Sequence, residues 1–142
     1  DDDIESWRRQ CQPCVPVAWH PCGAVCAVAG AEINCLHVYD TQHGHSVKEY
    51  TLDDRSKRNM MSSDYIFQIA WSHCGRRIAS CSAHSYIRVW DCDTRSMLTL
   101  LEGHKGNVFG VCWSAVSECG SMLASSGEDG VLRVWDAVNV TV

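Results

Sequence analysis

Ile69-Ala-Trp-Ser-His-Cys-Gly-Arg-Arg-Ile-Ala-Ser80, closing on Ile87-Arg-Val-Trp-Asp91, decides the fold, because the same pattern stands on either side of it. Downstream it returns as Val111-Cys-Trp-Ser114, Cys119-Gly-Ser-Met-Leu-Ala-Ser125 and Leu132-Arg-Val-Trp-Asp136. Upstream it returns as Val17-Ala-Trp-His-Pro-Cys-Gly23 and Leu36-His-Val-Tyr-Asp40. The turn glycine and the terminal aromatic lie 16, 15 and 15 residues apart in the three copies. Trp71 and Trp113 are 42 apart, and Trp90 and Trp135 are 45 apart. A period of about 40–45 residues marks stacked copies of one supersecondary unit.

Each column of the repeat has a physical task. Val-x-Trp and Ile-x-Trp alternate, which predicts a strand with one buried face. The Cys-Gly step predicts a turn in which glycine takes a positive φ. Arg77-Ile-Ala-Ser-Cys-Ser82 predicts a second strand, its small residues suited to crowding between neighbouring sheets. Glu128-Asp-Gly130 is a hairpin signal, Val131–Trp135 a third strand, and Met97–Leu101 a fourth. No segment carries a helical stripe. The class is all-β, with about three four-stranded sheets.

Composition narrows the function. The 142 residues carry a net charge of −5, and no basic run is longer than Lys57-Arg58 or Arg76-Arg77, so direct nucleic-acid binding is not expected. The longest apolar stretch is broken by prolines and glycines, and Asp1-Asp2-Asp3 is a poor start for a signal peptide, so no membrane partner is expected. Ten cysteines invite a zinc reading, with Cys11-x2-Cys14 and Cys22-x3-Cys26 the nearest approach. Yet Cys22, Cys74 and Cys119 each precede a turn glycine, which assigns them to different sheets, about 10 Å or more apart. Cys26 shares a column with Ile78 and Leu123, as a small core hydrophobe would. Free thiols in a reducing compartment are the expectation, with no metal and no cofactor. His43-Gly-His45 reads as an exposed loop, and His20 and His73 are related by the repeat rather than convergent. With no catalytic constellation, no enzyme is expected.

Gly103-His104, Trp90-Asp91 and Trp135-Asp136 give the chain its resemblance to the WD40 family, and the resemblance covers nearly the whole length. It implies a β-propeller, with residues 1–142 a partial one: blades at about 11–52, 62–101 and 104–142, and an inserted loop at 53–61. Three blades cannot close a ring, so a fragment of a propeller of about seven blades is implied, assembly from several copies being the other option. The resemblance also implies a buried hydrogen-bond network of His104, Ser125, Asp129 and Trp135. In the first two repeats Gln10 and Ser62 stand where the histidine should be, and Ile33 and His84 replace the turn aspartate. Those two blades are expected to rely on packing alone. The family's usual role is to dock other proteins without catalysis.

Both phenylalanines of the chain fall in one column, Phe67 and Phe109, four residues before their tryptophans, with Val15 in the first repeat. Two readings are open: packing between blades, or an exposed aromatic pair that grips a partner. In the second reading His84 and Glu128 join them as partner-binding residues, beside Ala83 and Asp129, and Glu128 suits a basic side chain. A more particular resemblance rests on Lys48-Glu-Tyr-Thr-Leu-Asp-Asp-Arg55, then a blade without Gly-His, then Leu98-Thr-Leu-Leu-Glu-Gly-His104. This order is similar to the WD40 subunits of the superkiller complex, which assists exosomal mRNA decay, from which the chain departs by an insertion, Ser56 to Asp64. It implies a scaffold for a tetratricopeptide-repeat subunit and an RNA helicase, in cytoplasm or nucleus. The alternatives are a scaffold or adaptor of another assembly, such as a transcription-elongation complex or a ubiquitin ligase, or a cysteine-based metal or redox protein. Asp93 and Val138 stand where a ligase adaptor often carries Arg or Lys.

Overall fold

The computed structural model describes residues 16–29, 35–41, 49–53, 65–83, 85–116 and 121–137, with 49–53 as backbone. Val15, Ile33, His43, His45, His84, Cys119 and the expected 56–64 insertion lie outside the described residues. Eleven described strands form three antiparallel sheets in which sequence neighbours are also sheet neighbours. The first holds β1 (Val17–Trp19), β2 (Val25–Ala29), β3 (Cys35–Asp40) and β4 (Glu49–Asp53). The second holds β5 (Ile66–Trp71), β6 (Arg77–Ser82), β7 (Tyr86–Asp91) and β8 (Ser96–Glu102). The third holds β9 (Val108–Trp113), β10 (Met122–Gly127) and β11 (Leu132–Asp136), and the fourth strand expected for it falls beyond the described residues. Asp53, expected in the inserted loop, belongs to β4.

Register sets which side chains meet. Ala70 lies opposite Ala79 and Ala79 opposite Val89; Trp71 lies opposite Ile78 and Ile78 opposite Trp90. Because side chains alternate along a strand, these rows stand on opposite faces of the second sheet. The row with Ile78 and Trp90 packs on Ala27, Ala29, Leu36 and Val38 of the first sheet. The row with Ala79, Cys81, Ile87 and Val89 packs on Val108, Val111 and Leu123 of the third. Small residues on β2 and β6 let the sheets approach, and larger ones on β3 and β7 fill the space further out.

Two hydrogen bonds repeat across these junctions. Trp71 Nε1 donates to the Ala18 carbonyl at 3.1 Å, and Trp113 Nε1 donates to the Ala70 carbonyl at 2.9 Å. Each is worth about 1 kcal/mol net, less than the roughly 1.5–3 kcal/mol of a fully buried Ile or Leu. Apolar packing therefore holds the blades together, and the indole bond fixes their register. Gly75 (φ 74°) turns the chain under this junction, and a Cβ there would overlap the His20 ring of the neighbouring blade.

Two expectations need correction. The second blade does not rely on packing alone: Trp90 Nε1 donates to buried Ser80 Oγ at 2.9 Å, and buried Arg88 donates to Ser82 Oγ at 3.2 Å. Nor are all cysteines free. Cys74 is disulfide-bonded, whereas Cys22, Cys81 and Cys112 carry free thiols.

Candidate functional site

The structure brings His104, Ser125, Asp129 and Trp135 into one chain of hydrogen bonds. A carboxylate only accepts, so His104 Nδ1 carries the proton and donates to Asp129 Oδ2 at 3.0 Å. That leaves Nε2 to accept from Ser125 Oγ at 2.8 Å, and Ser125 in turn accepts from Trp135 Nε1 at 2.8 Å. His104 and Ser125 are buried. Gly103 precedes the histidine because a Cβ there would come within 2.9 Å of the Trp135 ring. The backbone N–H of Lys105, with further help from His104 and the Val131 N–H, holds the Asp129 carboxyl down to about 2.

Three consecutive backbone N–H groups, of Lys105, Gly106 and Asn107, donate to Asp129 Oδ2, Ser85 Oγ and Glu128 Oε2 at 3.0, 2.9 and 3.1 Å. The Glu128 N–H returns a bond to the Asn107 carbonyl at 2.8 Å. The loop before β9 is thereby clamped to the turns of its own blade and the blade before it. Glu128 is exposed, but Oε2 is already engaged within this clamp, which narrows the expectation that its carboxylate serves a ligand.

Immediately after this loop stands Phe109, 52% exposed; Phe67 of the preceding blade is 39% exposed. Their ring centroids are 5.1 Å apart with planes tilted by 53°, a geometry that aromatic pairs favour. Both owe their direction to a bulge. Ile66 pairs with Ser82 and Gln68 with Cys81, so Phe67 is the extra residue of β5. Val108 pairs with Gly127 and Gly110 with Ser126, so Phe109 is the extra residue of β9. A bulge leaves its extra residue unpaired and re-aims its side chain. Gln68 Oε1 accepts from the Val111 N–H at 2.8 Å and ties the two bulged strands together. A Cβ at Gly110 would come within 2.7 Å of Ser126 Oγ, so the step after Phe109 has little room for another residue type.

Sequence reasoning missed Gln68, Ser85 and the clamped loop. The Ser80–Trp90 bond did carry a signal, since its ten-residue separation equals that of Ser125 and Trp135. Among the described residues no group of three or more His, Cys, Asp or Glu is placed to hold a metal ion.

Stacked antiparallel blades joined by indole bonds, one of them carrying an Asp–His–Ser–Trp chain, define a β-propeller segment. The family described as "WD domain, G-beta repeat" matches residues 56–91 and 95–136. The chain belongs to the WD40 repeat family. WD repeat-containing protein VIP3 of Arabidopsis thaliana is 28% identical over 102 residues, covering 69% of this chain and 32% of that protein. Topless-related protein 4 of the same plant is 26% identical over 98 residues, 68% of this chain and 8% of that protein. The chain thus spans about a third of the first relative and far less of the second. Among solved structures it superimposes on U3-55K (TM-score 0.72, 19% identity, covering 89% of this chain and 37% of that one). It also superimposes on a chain of the mitotic checkpoint complex (TM-score 0.64, 21% identity, 84% and 31%). These likenesses show the fold. WD40 domains bind other proteins, and the propeller fold of this family is generally a non-catalytic interaction scaffold.

Proposed function

We propose that this chain is a docking segment of a multiprotein scaffold, and that it holds its partner on the bulge-borne pair Phe67 and Phe109. The observation that carries the reading is the pair itself: two aromatic rings at the surface, set by matching bulges on neighbouring blades. A clamped loop costs little entropy on binding, and preordered aromatic side chains make effective anchors. The assembly that best suits the chain is the superkiller complex, on the strength of Lys48–Arg55 and Leu98–His104. The partners would be its tetratricopeptide-repeat scaffold and RNA helicase, in cytoplasm or nucleus, with no chemistry on RNA by this chain. Titration calorimetry with those two purified subunits tests it. Phe67→Ala with Phe109→Ala should weaken binding about thirtyfold or more, the mark of a hot spot near 2 kcal/mol. Binding that ignores both substitutions refutes the site, and no binding to either subunit refutes the assembly.

A further inference from the structure

The partner's chemistry is restricted by what surrounds Phe67 and Phe109, provided that the docking role proposed above holds. Phe67 and Gln68 are consecutive at the β5 bulge, and both reach the third blade. The Phe67 ring meets that of Phe109, and Gln68 Oε1 accepts from the Val111 N–H at 2.8 Å. Gln68 is nonetheless exposed. Holding its oxygen also orients its nitrogen, and Nε2 has no partner among the described residues. The same oxygen would lie 3.7 Å from a Cβ at Gly110, so the amide stands over a step of the chain that carries no side chain. The result is a short apolar floor with an oriented, unspent donor beside it.

The common modes of peptide recognition make different demands on such a floor. A strand that adds to a sheet needs a regular edge. β5 and β9 are the terminal strands of their sheets, but the bulges at Phe67 and Phe109 interrupt both, and a bulge blunts an edge. An amphipathic helix needs anchors over two turns or more, whereas ring centroids 5.1 Å apart span no more than one turn of about 5.4 Å. A phosphorylated or acidic segment needs clustered bases, and the clamped turns set the carboxylates of Glu128 and Asp129 against the ammonium of Lys105. A basic segment would have to draw Glu128 away from the Asn107 N–H. A polyproline II segment asks for what is present. Its proline rings lie on aromatic faces, and its carbonyls, unbonded within that helix, need outside donors. We infer that the partner docks through a proline-rich stretch in this conformation, with proline rings on Phe67 and Phe109 and one carbonyl accepting from Gln68 Nε2.

Calorimetry of the 142-residue chain with a decaproline peptide tests the inference. Saturable binding is expected, and a glycine–serine peptide of equal length should not bind. Phe67→Ala should weaken the decaproline affinity about tenfold or more. Gln68→Glu keeps an acceptor for the Val111 N–H and replaces the free donor by a second acceptor; it should weaken affinity about fivefold or more. No binding of decaproline, or binding that Gln68→Glu leaves unchanged, overturns the inference. So does tighter binding of an arginine–glycine peptide of the same length. The docking role is judged apart from this, by whether Phe67→Ala with Phe109→Ala weakens the binding of the superkiller subunits.

Discussion

The indole of Trp113 donates to the Ala70 carbonyl, 43 residues earlier in the chain, and thereby fixes the third blade on the second. Trp113→Phe keeps most of the apolar surface and deletes that donor. It should cost about 1 kcal/mol in urea denaturation, the net worth of one hydrogen bond. Trp90→Phe should cost more, up to about 3 kcal/mol, because it strands a hydroxyl on the buried Ser80. Equal losses would mean that the two indoles contribute only packing.

His104 and Ser125 test the buried chain from inside. His104→Ala leaves the Ser125 hydroxyl without its acceptor and Asp129 Oδ2 without the Nδ1–H donor, and should lower stability by about 1–3 kcal/mol. Ser125→Ala should cost a similar amount. The double variant should cost clearly less than the sum, since both substitutions break the same chain. Strict additivity in urea denaturation would argue that the residues act separately. Calorimetric affinity at Phe67 and Phe109 should stay unchanged as long as the blade is folded.

The Gly-His, Trp-Asp and Glu-Asp-Gly marks of the third repeat were legible because every residue in that chain of bonds sits at a fixed offset from Trp135. The sheets were legible for the same reason: alternation around Trp71 and Trp113 leaves β5 and β9 no other period. The Trp71–Ala18 bond was not, since it depends on how two blades stack, and nothing in the stretch around Ala18 distinguishes its carbonyl. The bulges were hidden too. An extra residue at Phe67 shows only when the β5–β6 register is counted on both strands, so the choice between core and surface for the phenylalanines stayed open. The clamp on Lys105–Asn107 is written in backbone N–H groups, which every residue but proline has, and only the partners Ser85, Glu128 and Asp129 could have hinted at it.

Asp129 makes stability depend on pH in the acid range. Its carboxyl is held at about 2 in the folded chain, chiefly by the Lys105 N–H, against an ordinary value of 3.8. The folded state thus favours the ionised form. Its contribution is whole above about pH 4 and is lost as pH falls through 2. Melting temperatures of the chain and of Asp129→Asn should differ by a constant amount above pH 4, and the difference should shrink between pH 4 and 2. A gap unchanged down to pH 2 would show that the bonds do not depend on the charge.

Cysteine reactivity reports on the junction between the second and third blades. Burial pushes the Cys81 thiol up to about 12, partly offset by the Gln68 N–H, and its side chain is sealed between β6 and β9. A thiol attacks as its thiolate, so Cys81 combines a scarce nucleophile with no access. Cys22 and Cys112 are exposed and free. Iodoacetamide at pH 8 on the dilute native chain should label those two first, read by mass spectrometry of the peptides. Cys81 should react only at the rate at which the junction opens, and Trp113→Phe, which loosens that junction, should speed its labelling while leaving Cys22 unchanged. Labelling of Cys81 as fast as Cys112 would mean that the second and third blades separate freely, and that the Trp113–Ala70 bond does not hold them.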